Sequence, residues 1–207
     1  MKIWGRLSSI NVRKVVWAAC ETGAPFTRTD AGAAFGVVDT PAYRQLNPNA
    51  LVPTLQHDDL TLWESNVIVR YLAHRFPDAA LLPATMAQRF VAEQWMDWQQ
   101  TTFNRAGREA FIQLIRTPQP QRSETQIAQS VAATMPLLQQ LDRHLADHRY
   151  MVGDDFSMAD IPLGCEMHRW FGLPLAHDLP ALPHLQRWFD ALRQRPASRG
   201  ILDLPLT

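Results

Sequence analysis

The sequence predicts an α/β domain followed by an all-α domain. Three observations carry that prediction. Strand-like and helical segments alternate over roughly the first 80 residues, a proline-containing break follows, and beyond it apolar residues recur only at helical spacing. Taken in order, "KIWG" is a short N-terminal strand. From Asn11 onward Val12, Val15, Val16, Ala19 and Cys20 fall at helical intervals, with Gly23 as the stop and Pro25 barring continuation. "PFTRTD" is a second strand and "GAAFGVV" a loop. "TPAYRQL" is a short helix with Thr40 as N-cap and Pro41 at its first position. "VPTLQHDDLTLWE" reads as an antiparallel hairpin around an acidic turn, and "SNVIVRYLAHRF" as an amphipathic helix with Ile68, Tyr71 and Leu72 on one face. The order β-α-β-α-β-β-α predicts a mixed four-stranded sheet with helices on its faces.

The first domain is assigned to residues 1–78, a linker containing "PDAALLPAT" to 79–86, and the helical domain to 87–207. In the latter, residues 85–116 form one long helical stretch with Val91, Trp95 and Trp98 on one side. "TPQPQ" breaks it. A second long helix carries Ile127, Val131, Leu138, Leu141 and Leu145, with Pro136 as an expected kink. "FSMADIPLGCEMHRW" and "PHLQRWFDALRQR" complete the set.

Composition narrows the function classes. Twenty basic residues balance twenty acidic ones, so nothing resembles an electrostatic footprint for nucleic acid or an anionic membrane. No apolar run approaches transmembrane length, and "MKIWGRLSS" lacks a signal-peptide core. Cys20 and Cys165 have neither disulfide-scaffold nor metal-site spacing, and both fit apolar helix faces as inert thiols. The expectation is a soluble cytoplasmic protein without a metal.

Chemistry concentrates in two places. On residues alone, Pro53 before a strand suggests an edge position and a trans bond; a cis bond would instead free the main chain of Val52 for an extended ligand. Glu64-Ser65 stands where a strand gives way to a helix. Ser65 fits an N-cap, and the same corner also makes a receptor for an α-amino acid head group. Helix amides and a hydroxyl would take its carboxylate, and Glu64 its ammonium. Between the first strand and first helix, "RLSSINVRKV" offers Ser8, Ser9 and Asn11 at a helix N-terminus, either as caps or as donors to an anion.

"NPNALVPTL" followed by "LWESNVIVRYLA" resembles the N-terminal domain of glutathione transferases, whose fold is thioredoxin-like. "GDDFSMADIPL" resembles that family's capping box, with Ser157 and Asp160 three apart. The resemblance covers the whole chain and implies a thioredoxin-like N-terminal domain plus an all-helical C-terminal domain. It implies glutathione as co-substrate and a homodimer. It also implies a cis Val52–Pro53 bond, Val52 pairing with the cysteinyl part of glutathione, and Glu64 and Ser65 holding its γ-glutamyl end. Relatives often carry a basic residue at the position of Leu51, directed at the glycyl carboxylate; this chain does not, and Arg13 and His57 stand as unranked substitutes. The helix-start segment lacks tyrosine and cysteine, so the resemblance is to the serine-type or Ser-x-Asn-type members. Ser9 with Asn11 is favoured as thiolate donor, with Ser8 as the alternative. Trp95, Trp98, Phe103, Phe111 and Trp170 are mainly core, with one or two facing an electrophile, and His168 and Arg169 carry no assigned role. The implied function is a glutathione S-transferase detoxifying a small hydrophobic electrophile. A glutathione-dependent disulfide reductase or peroxidase, or a non-catalytic binding module, is the alternative.

Overall fold

The computed structural model describes residues 1–175 and 180–207 and divides into two compact units, Met1–Leu82 and Pro83–Thr207.

In the first unit the strands β1 (Lys2–Trp4), β2 (Thr27–Thr29), β3 (Thr54–His57) and β4 (Leu60–Trp63) form one sheet in the order β2-β1-β3-β4. β1 and β2 are parallel, joined through α1 (Ile10–Thr22); β3 runs antiparallel to both β1 and β4. Each strand is only three or four residues long, so register rests on a few paired positions. Ile3 stands opposite Leu55, and both are buried on one face. Trp4 stands opposite Thr54 on the other face, where α2 (Pro41–Leu46) lies: the Trp4 and Tyr43 rings meet edge-on at 5.9 Å. α1 packs on α3 (Ser65–Arg75), burying Val12, Val15, Val16 and Ala19 of one helix and Ile68, Val69 and Leu72 of the other. The mixed four-stranded sheet is the one expected, and Gly23, Thr40 and Pro41 occupy the predicted capping places.

Pro53 departs from the reading of its residue type. β3 is an interior strand, not an edge, and the Val52–Pro53 bond is cis. The missing proline N–H costs no ladder bond, because pairing begins one residue later at Thr54.

The second unit holds α4 (Met86–Trp98), α5 (Asn104–Phe111), α6 (Glu124–Ala146), α7 (Asp160–Phe171) and α8 (Pro183–Arg193). The stretch expected as one helix over 85–116 is helical throughout but twice loosened into π-helical turns, Gln99–Phe103 and Ile112–Arg116. Within regular α4, ahead of both turns, Trp95 is buried whereas Val91 is exposed. α6 runs on through Pro136. Of the five aromatic residues assigned mainly to core, Trp95, Phe103, Phe111 and Trp170 are buried and Trp98 is half-buried. Cys165 is a buried packing thiol as expected, but Cys20 is exposed on α1, with burial of part of its side chain and then Glu21 raising its pKa. Among the described residues no helix is long and apolar enough to cross a membrane.

The Ser157–Asp160 box forms in half only. Asp160 accepts from the Ser157 amide at 2.8 Å and the Ser157 hydroxyl at 3.1 Å, but the Asp160 amide turns to the Ser157 carbonyl, not to its side chain. The carboxylate is drawn into a wider role, also accepting from Met151 N and Trp188 Nε1.

Candidate functional site

Three chain segments of the first unit build the site: the β1–α1 loop, the loop before β3, and the β4–α3 corner. At the first, Ser9 occupies the N-cap position of α1, and its carbonyl receives the amides of Val12 and Arg13. Its hydroxyl makes no capping hydrogen bond, contrary to the simple capping reading. A hydroxyl there faces the positive end of a 13-residue helix, an environment that favours an anion. Ser8 is half-buried and already engages another group of the protein.

Asn11 does not cap the helix either. Its Oδ1 accepts from the Ser65 hydroxyl at 3.2 Å, which leaves the amide nitrogen as a donor to other partners. One turn further, buried Lys14 reaches Asn66 Oδ1 at 3.4 Å. These two links tie the first two turns of α1 to the first turn of α3. Ser65 is buried and is the first helical residue of α3; the N-cap position belongs to Glu64, one place earlier than expected. Glu64 adopts φ +67°, an uncommon conformation for a residue with a Cβ, and its side chain is exposed. The corner thus presents an exposed carboxylate beside the helix-start amides of Ser65 and Asn66, the chemistry that an ammonium and a carboxylate on one carbon would require.

The loop before β3 is held by its main chain. The Leu51 carbonyl accepts from the Tyr43 hydroxyl at 2.7 Å and from Asn47 Nδ2 at 2.9 Å. Tyr43 and Asn47 both also reach Thr54 Oγ1, at 2.8 and 3.2 Å, so the turn is pinned on either side of the cis-proline. Burial raises the Tyr43 pKa, which keeps the phenol a donor. The Leu51 side chain is 64% exposed and contributes nothing to this network. Tyr43, Asn47 and Thr54 went unassigned in the sequence; the only signal was that Asn47 opens the "NPN" before "ALVP".

The two unranked cation candidates are committed elsewhere. Arg13 is buried and donates from Nε to the Leu7 carbonyl at 2.7 Å, holding the β1–α1 loop. His57 bonds the Tyr71 hydroxyl through Nδ1 at 2.8 Å and lies 3.8 Å from the Asp58 carboxylate. Among the described residues no cluster of His, Cys, Asp and Glu has the makings of a metal site. His168 is half-buried in α7, while Arg169 reaches Asn104 and stacks over Phe111.

A sheet in the order β2-β1-β3-β4 with a cis-proline entering β3, in a chain that continues as a helical unit, defines a thioredoxin-like domain joined to an all-helical one. Family models agree: the "Glutathione S-transferase, N-terminal domain" matches residues 1–74 and the "Glutathione S-transferase, C-terminal domain" residues 104–196. Glutathione S-transferase GstB of Escherichia coli K12 is 37% identical over 207 residues, covering 99% of each chain. A crystal structure of a theta class glutathione S-transferase from Xanthomonas axonopodis pv. citri, with glutathione bound, superposes with a TM-score of 0.95. It is 46% identical, over 100% of this chain and 98% of that one. Elongation factor 1-gamma 1 of rice is 29% identical over 165 residues, 79% of this chain but 39% of that protein. The chain belongs to the glutathione S-transferase family.

Proposed function

We propose that the protein is a glutathione S-transferase in which Ser9 and Asn11 favour the thiolate of bound glutathione for attack on a small electrophile. The observation that carries this is the pairing at the two helix starts: the Ser9 hydroxyl unused for capping, and Asn11 held by Ser65 with its amide nitrogen available. In the bound state the main chain of Val52 pairs with the cysteinyl part of the tripeptide, next to cis Pro53, while Leu51 flanks it. Glu64 takes the γ-glutamyl ammonium, and the helix-start amide of Ser65 its carboxylate, the Ser65 hydroxyl being given to Asn11. A thiol is a weak nucleophile until deprotonated, and each unit by which its pKa falls raises the thiolate fraction at neutral pH up to tenfold. Hydrogen bonds from Ser9 and Asn11 and the α1 dipole all act in that direction. The protein works as a cytoplasmic homodimer, on a small hydrophobic electrophile.

The test is to titrate thiolate absorbance of bound glutathione and measure conjugation with an aryl halide at pH 7. Ser9→Ala is expected to raise the bound thiol's pKa by about one to two units and lower kcat/KM about 10–100-fold. Ser8→Ala is expected to cost less; the reverse order overturns the assignment. Assays with a disulfide and a hydroperoxide in parallel separate conjugation from reduction. A second reading, a non-catalytic binding module, predicts no thiolate signal at all.

A further inference from the structure

We propose that Arg6 is the cation that receives the glycyl carboxylate of glutathione, in place of the basic residue absent at Leu51. Resting on the glutathione reading above, it extends that reading to the far end of the tripeptide.

Four cations lie between Gly5 and Asp30, and three of them are spoken for. Arg13 holds the Leu7 carbonyl, Lys14 reaches Asn66, and Arg28 donates to the Gly5 carbonyl at 2.8 Å while pairing with Asp30. Arg6 has no hydrogen-bond acceptor and no carboxylate partner among the described residues, although it is half-buried. A half-buried guanidinium with five unmet donors is a receptor for a planar anion, which a carboxylate can match in bidentate fashion.

Its location fits the ligand's direction. The Ser9 amide bonds the Arg6 carbonyl at 3.1 Å, so Arg6 and the proposed thiolate donor open and close one tight turn. The guanidinium lies over Gly32: a methyl group there would stand 2.7 Å from Arg6 Nη1 and 3.5 Å from Val52 Cγ1. The Arg6 head group and the Val52 side chain therefore flank the same point. Gly32 adopts φ +79°, a conformation that glycine accepts freely, and its lack of a side chain leaves room for the guanidinium. A glutathione whose cysteinyl unit pairs with Val52 carries its glycyl carboxylate one residue on, about 3.5 Å of extended chain. The neighbouring Leu51 side chain is apolar and exposed, and supplies no charge.

The experiment pairs a change in the protein with a change in the ligand. Wild type and Arg6→Ala are each assayed with glutathione and with γ-glutamylcysteine, which lacks the glycine. The expected result is that Arg6→Ala lowers the preference for glutathione over the dipeptide, as a ratio of kcat/KM values, about 10-fold, with Arg6→Lys intermediate. Equal effects of Arg6→Ala on both ligands, or no effect on either, overturn the proposal. The unaltered protein provides a check that does not depend on a variant folding. Its affinity for glutathione amidated at the glycyl carboxylate is expected to fall about as far, and equal affinity for both forms overturns the proposal. Wild type that neither binds nor turns over glutathione overturns the proposed function instead.

Discussion

Gly5 shows how much of the site depends on one missing atom. It is buried between α1 and the cis-proline loop, at φ +145°. A Cβ there would stand 2.4 Å from Val12 Cγ2 and 3.2 Å from Val52 Cβ. Neither neighbour is a flexible chain end, so Gly5→Ala has to push the first turn of α1 away from Val52. Its expected cost is about 2–4 kcal/mol of unfolding free energy, together with a raised KM for glutathione. Urea titration and steady-state kinetics check both, and an unchanged midpoint would contradict the packing argument. Nothing in "KIWG" announces this, because a close approach depends on residues 47 positions away. The same limit applies to Pro53. Residue type favours trans, and the cis bond is set within a network from Tyr43, Asn47 and Thr54 that no local pattern displays. Ser65 was legible as a helix start to within one residue, but its partner Asn11, 54 positions earlier, was not.

Among the elements, α7 starts on a buried carboxyl, that of Asp160. Asp160 is fully buried, and burial pushes its carboxyl up to about 6 against the pull of Met151 N, Trp188 Nε1 and both Ser157 donors. The unfolded chain titrates near 3.8. Between about pH 4 and pH 6 the folded protein keeps a proton that the unfolded chain has lost. Stability from this group is therefore fully present below about pH 4 and falls as pH rises through that window, by about 3 kcal/mol in all. Asp160→Asn carries no such titration. The wild type is thus expected to lose ground to Asp160→Asn from pH 4 to pH 6 and to hold level with it from pH 7 to pH 8. Urea unfolding across that range measures it, and a constant difference between the two proteins would refute the linkage. Ser-x-x-Asp was legible as a helix-start signal. The reach to Trp188, 28 residues on, was not, since it joins α7 to α8. The long helices were read from their apolar period, and the π-helical turns escaped because each breaks that period without removing an apolar residue.

For the whole molecule, the proposed homodimer rests on apolar surface that each unit leaves uncovered. In the first unit Leu60, Trp63 and Val67 are exposed along β4 and the start of α3; in the second, Met86, Phe90 and Val91 are exposed on α4. The chain has no net charge and a pI near 7.1, so it has little self-repulsion to oppose association near neutral pH. Sedimentation is expected to give twice the 23.5 kDa chain mass, and Trp63→Lys with Phe90→Glu to shift it toward the monomer. A monomeric wild type would dismiss this arrangement. At this scale the sequence was most informative: element order, the break near residue 80 and the absence of strand patterns beyond it were sufficient for the architecture. They do not specify how short strands choose partners, which needs the pairing of Ile3 with both Arg28 and Leu55.

The loop that carries Leu51 is shaped by a carbonyl, and carbonyls are common to every residue. Tyr43 and Asn47 grip that oxygen, so the side chain at 51 is free to vary without altering the path of the loop or the fold that depends on it. Such a position uncouples recognition from architecture. A cation for the tripeptide's tail can be supplied there or from another loop, and the scaffold need not register the exchange.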